Sequence, residues 1–136
     1  MLQKIKNMKF FIYGNVPSKK NSRVPFVRNG RMMNFPSKNY VKWHKEALLQ
    51  LKTNLFYSQS VNIVITLYVP TKRKSDLTNK AESIMDLLVD KGILQDDNYF
   101  CVPQILLKFG GVDREKPRAI IDIEIAETNL NTFFDD

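Results

Sequence analysis

Apolar side chains recur at every second position from Val61 to Val69, a pattern that predicts a strand with one buried face. The period then changes. Leu77, Ala81, Ile84, Met85 and Leu88 fall within about a third of a turn at 3.6 residues per turn, with Asn79, Glu82 and Asp86 on the opposite side. Ser75-Asp76 opens this helix and Gly92 closes it. Asp76 stands at the N-cap, where a carboxylate can accept a backbone N–H.

The same reading covers the rest of the chain. Residues 8–13 are aromatic and β-branched, a strand that ends in a Gly- and Pro-containing turn over residues 14–21. Asn29-Gly30 between two apolar runs predicts a hairpin with strands over residues 24–28 and 31–34 and arginines at its tip. Residues 37–55 predict a helix with Tyr40, His44, Ala47, Leu48, Leu51 and Leu55 on one face; Lys38, Lys42, Lys45 and Lys52 lie largely away from it. Trp43 is at the margin, either core or an exposed stacking platform. His44, the only histidine, fits a partly buried packing residue better than a general base. Residues 102–109 predict a strand, Gly110-Gly111 a turn, and residues 112–117 a charged loop. Residues 119–126 predict a strand with one wet face at a sheet edge. Residues 127–136 predict a loose acidic tail, with Phe133-Phe134 free to dock. The order β, hairpin, α, β, α, β, β makes residues 1–136 a single α/β (α+β) domain with a mixed sheet, two main helices and a basic hairpin.

Composition narrows the class. At 136 residues, 43% of them hydrophobic, the chain is long enough for one well-buried core. It has no run of about 18 apolar residues, so no membrane span is expected. The lysines near Met1 precede no long apolar stretch, which argues against a secretion signal. Cys101 is the only cysteine, so no internal disulfide or cysteine-based zinc site is expected, and a cytoplasmic location fits.

Charge changes the picture most. The net is +7, but residues 1–75 carry fifteen Lys and Arg against Glu46 alone, a balance of +14, while residues 76–136 carry six against thirteen acids, a balance of −7. A basic half followed by clustered carboxylates points to a polyanion-binding surface built around an acidic pocket. Lys19, Lys20, Asn21 and Arg23 in the first turn, and Lys72, Arg73 and Lys74 before the second helix, are candidate phosphate contacts; each run alone could equally be a solvated loop. Nucleotide phosphate-loop and dinucleotide glycine patterns are absent, so no nucleotide cofactor is expected, and no Gly-x-Ser-x-Gly elbow supports acyl transfer. The candidate metal ligands are hard oxygens, Asp76, Asn79, Glu82, Asp86, Asp96 and Asp97, a set that favours Mg²⁺ with Mn²⁺ as the alternative. For the helical acids the plain alternative is a helix cap and a wet face.

Taken together, Gly14…Pro17-Ser18…Asn21, a basic run into Asp76-Leu77-x-Asn79, Asp86, and Gly92-x-x-x-Asp96-Asp97 resemble the RusA-type Holliday-junction resolvases of phages and prophages, over roughly residues 8–126. The resemblance implies a homodimer that binds four-way DNA junctions in a bacterial host cell. It also implies Mg²⁺-dependent nicking that leaves a 5′-phosphate and a 3′-hydroxyl. It places metal-binding aspartates at Asp76, Thr78 and Asp97 and a catalytic lysine at Glu82. Two positions depart: Thr78 stands where an aspartate is expected, and Glu82 where a lysine is expected. Either the site is degenerate and the protein only binds branched DNA, or the carboxylate has moved one helical turn to Glu82. On the second reading Asp76, Glu82 and Asp97 hold metal, Asp86 and Asp96 support it, and Lys80 or Lys74 supplies the displaced positive charge. An RNA-binding module has less support, since no aromatic strand motif of that type is present.

Overall fold

The alternating run becomes strand β4 (Val61–Val69), and Val61, Ile63, Ile65 and Leu67 along it are all but completely buried. The computed structural model describes residues 7–19 and 23–126. Within them β4 belongs to a mixed four-stranded sheet in the order β1 (Asn7–Tyr13), β6 (Arg118–Ile125), β4, β5 (Gln104–Val112). β6 runs antiparallel to both β1 and β4, while β5 is parallel to β4. A parallel pair cannot be joined by a tight turn, so the chain crosses over through helix α2 (Leu77–Lys91). The register sets Ile63, Ile65 and Leu67 opposite Ile123, Ile121 and Ala119, which face Met8, Phe10 and Ile12 in turn. This side of the sheet is covered by α2 and by helix α1 (Lys38–Gln50). Burying one such Ile or Leu contributes about 1.5–3 kcal/mol, and a slip of one residue would turn the whole set outward. The other side stays wet, with Lys9 and Asp122 paired at 3.6 Å across β1 and β6.

The α2 boundaries agree with the sequence reading. Gly92 ends the helix at φ 84, and the Ile93 N–H returns to the Leu88 carbonyl. Its buried arc is wider than the five positions expected, because Ser83 and Leu87 are also fully buried. Asp76 is the N-cap residue by position, yet its side chain makes no capping bond. α1 is shorter than residues 37–55: Ser37 caps it, accepting from the Tyr40 N–H at 3.1 Å, and Leu51 closes it. The apolar spacing continues to Leu55, but the Thr53 hydroxyl takes the Leu55 N–H, offering the backbone a local partner in place of the helix. Trp43 is buried, which decides for core over an exposed platform. His44 lies beside it, partly buried, with Nε2 2.8 Å from Asp90.

The hairpin forms as β2 (Arg23–Arg28) and β3 (Arg31–Pro36), a separate two-stranded sheet, with Asn29 at φ 52 and Gly30 at φ 74 making the turn. Two expectations are corrected. Gly110-Gly111 is no turn; β5 runs through it to Val112, and a register shift leaves Gly110 as the extra residue of a bulge opposite Leu67 and Tyr68. A Cβ at Gly110 would stand 2.6 Å from the Tyr68 ring, so the close approach of ring and backbone requires glycine there. β6 is not an edge strand but lies between β1 and β4. Its wet positions arise because no described helix covers the other face of the sheet, and a sheet covered on one side gives a central strand the same alternation as an edge. Lys20, Asn21, the acidic tail and Phe133-Phe134 lie outside the described residues.

Candidate active site

The end of β4 and the start of α2 meet the β1–β2 connection, and a cleft of about 800 Å³ opens between them and α1. Arg73, Lys74, Asp76, Asn79 and Lys80 line one wall, residues 14–18 a second, and Asn39, Lys42, Trp43 and Glu46 the third. The α1 positions follow an i, i+3, i+4, i+7 spacing, so one helix face turns to the cleft. That spacing was available in the sequence, but Asn39, Lys42 and Glu46 on it resemble a solvated face. Behind residues 71–75 a smaller cleft of about 290 Å³ has an apolar floor of Leu67, Leu77, Phe109 and Val112. The exposed loop carrying Lys72, Arg73 and Lys74 borders it, and Arg73, Lys74 and Lys80 line both clefts.

Asp76 is exposed at the first cleft, and its carboxylate accepts from the Asn79 side-chain amide at 3.2 Å instead of capping the helix. One turn on, the Lys80 ammonium donates to the Val16 carbonyl at 2.6 Å, and Ser83 donates to the Pro17 carbonyl at 2.7 Å. The Lys19 N–H reaches the Asn79 carbonyl at 3.2 Å. The β1–β2 connection is therefore tied along the first half of α2 at three points. Ser83 is a residue that the sequence reading missed, since a serine on a helix gives no local sign that a loop will fold onto it. Burial pushes the Lys80 ammonium below the ordinary lysine range.

The other carboxylates gather further along. Asp86 pairs with the Lys19 ammonium at 2.6 Å and accepts from the Tyr40 hydroxyl at 3.4 Å. Lys19, expected at phosphates, is thus engaged with Asp86, and both side chains are about one-third exposed. In the loop after α2, Asp96 accepts the Asp97 N–H at 2.7 Å and the Asn98 amide at 3.1 Å, and these bonds hold its carboxyl below the usual range. The Asp97 carboxyl is raised, first by desolvation, then by the hydrogen bond and charge of Asp96 and by the charge of Asp86. Like charges in one place have this effect, and a bound cation relieves it.

The expected ligands thus form two groups. The charges of Asp86 and Asp96 both act on Asp97; Asp76 lies ten residues before Asp86, about 15 Å along the axis at 1.5 Å per residue. Glu82 is exposed between them, and Thr78 is exposed as well. Among the described residues no three His, Cys, Asp or Glu side chains converge as a ready metal-binding group. The donors are nonetheless all oxygens, and Mg²⁺ commonly keeps several waters and takes one or two carboxylates, so the Asp96–Asp97 pair with Asp86 nearby fits it in chemistry. No described helix is long and apolar enough to cross a membrane.

A family model described as Endodeoxyribonuclease RusA matches residues 14–124. The chain is also similar to the Crossover junction endodeoxyribonuclease RusA of Aquifex aeolicus (strain VF5), 22% identical over 101 residues, covering 72% of this chain and 78% of that protein. The matched span runs from the β1–β2 connection through both groups of carboxylates to β6.

Proposed function

The chain belongs to the RusA endodeoxyribonuclease family, and from that footing we propose that it is a Mg²⁺-dependent endonuclease that resolves Holliday junctions and related branched DNA as a homodimer. One observation carries the reading. The carboxylate of Asp76, in a position where it would ordinarily cap its helix, turns instead to a cleft walled by Lys42, Arg73, Lys74 and Lys80. A carboxylate beside cations is what metal-assisted attack on a phosphodiester requires, since the cations hold the backbone that the carboxylate alone would repel.

Asp76, Glu82 and Asp97, brought together by the second chain of the dimer or by movement of the loop after α2, would hold the metal, supported by Asp86 and Asp96, and a bound Mg²⁺ or Mn²⁺ would supply an activated water and stabilise the leaving oxygen. The chain's own residues do the rest. Lys72, Arg73 and Lys74 neutralise phosphates from an exposed loop between two clefts. Asn79 orients the Asp76 carboxylate. Lys80 places positive charge one turn from Asp76 and pins the loop opposite, so it stands in for the lysine absent at Glu82. The rival reading is a junction-binding protein with a degenerate site; the Thr78 and Glu82 departures and the scattered carboxylates favour it.

Cleavage of four-way junction, flap, fork and duplex, with and without Mg²⁺, separates the two. The expected result is metal-dependent nicking of branched DNA. Asp76→Asn and Asp97→Asn should each lower it by about 100-fold or more, the scale of losing one electrostatic stabiliser of the transition state, while junction affinity is kept. Binding without nicking under any divalent cation would leave the rival reading.

A further inference from the structure

Two residues after Asp97 the chain carries a pair of strongly exposed aromatic side chains. Tyr99 is 74% and Phe100 73% exposed, with ring centroids 4.5 Å apart and planes inclined by 37°. Neither ring contributes to the core, yet the backbone beneath them is held at many points. The Asn98 side-chain oxygen accepts the N–H groups of Phe100 and Cys101, each at 3.0 Å. The Asn98 carbonyl takes the N–H groups of Cys101 and Val102. Ser60 donates to the Phe100 carbonyl, and the Val61 N–H to that of Cys101, which ties the loop to the start of β4. The loop is thus ordered in advance, and the rings it displays are left to solvent.

We propose that Tyr99 and Phe100 form a stacking platform for unpaired nucleobases at the branch point of the DNA substrate. The inference rests on the endonuclease reading above and adds the part of the substrate that this loop meets. Tyr99 and Phe100 carry no positive charge to hold a phosphate and offer π-faces instead, which match the faces of bases. Bases inside a duplex hide their faces against one another, whereas those at a strand crossing can unstack. Every base has a π-face, so such a platform selects for structure and not for sequence. A pre-ordered loop also spares the ordering cost that a flexible aromatic would incur on binding.

The test uses the full chain, with Ca²⁺ in place of Mg²⁺ so that DNA is bound and not cut. A four-way junction carries 2-aminopurine at the crossing, with a matched duplex as control. The wild-type protein should change 2-aminopurine fluorescence in the junction. Tyr99→Ala/Phe100→Ala should abolish that change and weaken junction binding by roughly 5- to 150-fold, the range for losing one base–aromatic stack. Duplex affinity and the salt slope should stay as they were, because no phosphate contact is lost. Tyr99→Phe/Phe100→Tyr should keep the wild-type response. Equal losses on junction and duplex, or no loss on either, overturn the proposal. So does an alanine variant that light scattering shows has changed its oligomeric state, since the rings then belong to a contact between copies. Wild-type protein that binds neither DNA overturns the endonuclease reading together with the platform, whereas an unaffected alanine variant beside a binding wild type overturns the platform alone.

Discussion

Asp96 and Asp97 are adjacent acids with opposite titrations. The Asp97 N–H and the Asn98 amide stabilise the charge on Asp96, while burial and the nearby charges of Asp96 and Asp86 penalise the charge on Asp97. In metal-free protein, carboxyl-carbon NMR should therefore show Asp97 taking up its proton at a higher pH than an ordinary aspartate. Asp96→Asn removes a like charge and should lower the Asp97 pKa; no change would mean that burial alone raises it. Glu82 is the second residue whose role can be isolated. If its carboxylate replaces the one missing at Thr78, Glu82→Ala loses most metal-dependent nicking and adding Thr78→Asp restores part of it, a coupling read from a double-mutant cycle on the cleavage rate. Its exposure makes the competing outcome equally clear. A solvated helix residue would change stability by no more than about 0.5 kcal/mol and leave activity as it was.

The first half of α2 acts as a platform for the β1–β2 connection. Lys80 and Ser83 take the carbonyls of Val16 and Pro17, and the Asn79 carbonyl takes the Lys19 N–H. Ser83 is fully buried, so Ser83→Ala leaves the Pro17 carbonyl without that donor at a cost of about 1–3 kcal/mol. Urea unfolding should show this as a lower midpoint at unchanged slope. The same variant should weaken junction binding, because the loop leads into the basic hairpin. A stable, fully binding Ser83→Ala protein would show that Lys80 and the Asn79 carbonyl hold the loop without it.

For the molecule as a whole, the arrangement of the carboxylates bears on the proposed dimer. Asp76 and Asp86 are separated by about 15 Å of helix, and the Asp97 carboxyl feels the charge of Asp86. A site that uses both Asp76 and Asp97 is completed either by movement of the loop after α2 or by a second chain. Mixing Asp76→Asn and Asp97→Asn proteins, each inactive alone, discriminates. If the two residues act from different chains, a mixed dimer contains one site with both substitutions and one with neither, and nicking returns. If they act from one chain, each site of the mixed dimer keeps one substitution and the mixture stays inactive.

Much of this protein was determined within short windows of its sequence. The period of two along β4, the boundaries of α2 from Asp76 to Gly92 and the Asn29-Gly30 turn depend on residues a few positions apart, because periodicity, capping and turn conformation are local properties of the backbone. The candidate residues could be named from the same windows, since basic and acidic runs are visible without a fold. Tertiary structure decided which of them meet. Lys19 is a candidate phosphate contact by its place in a basic run, and in the fold it is paired with Asp86. Gly110-Gly111 is a turn by composition and a bulge once Tyr68 lies against it. β6 has the pattern of an edge strand and occupies the middle of a one-sided sheet. Each of these depends on a neighbour remote in sequence, and an alternating or charged run carries no record of which neighbour the fold will supply.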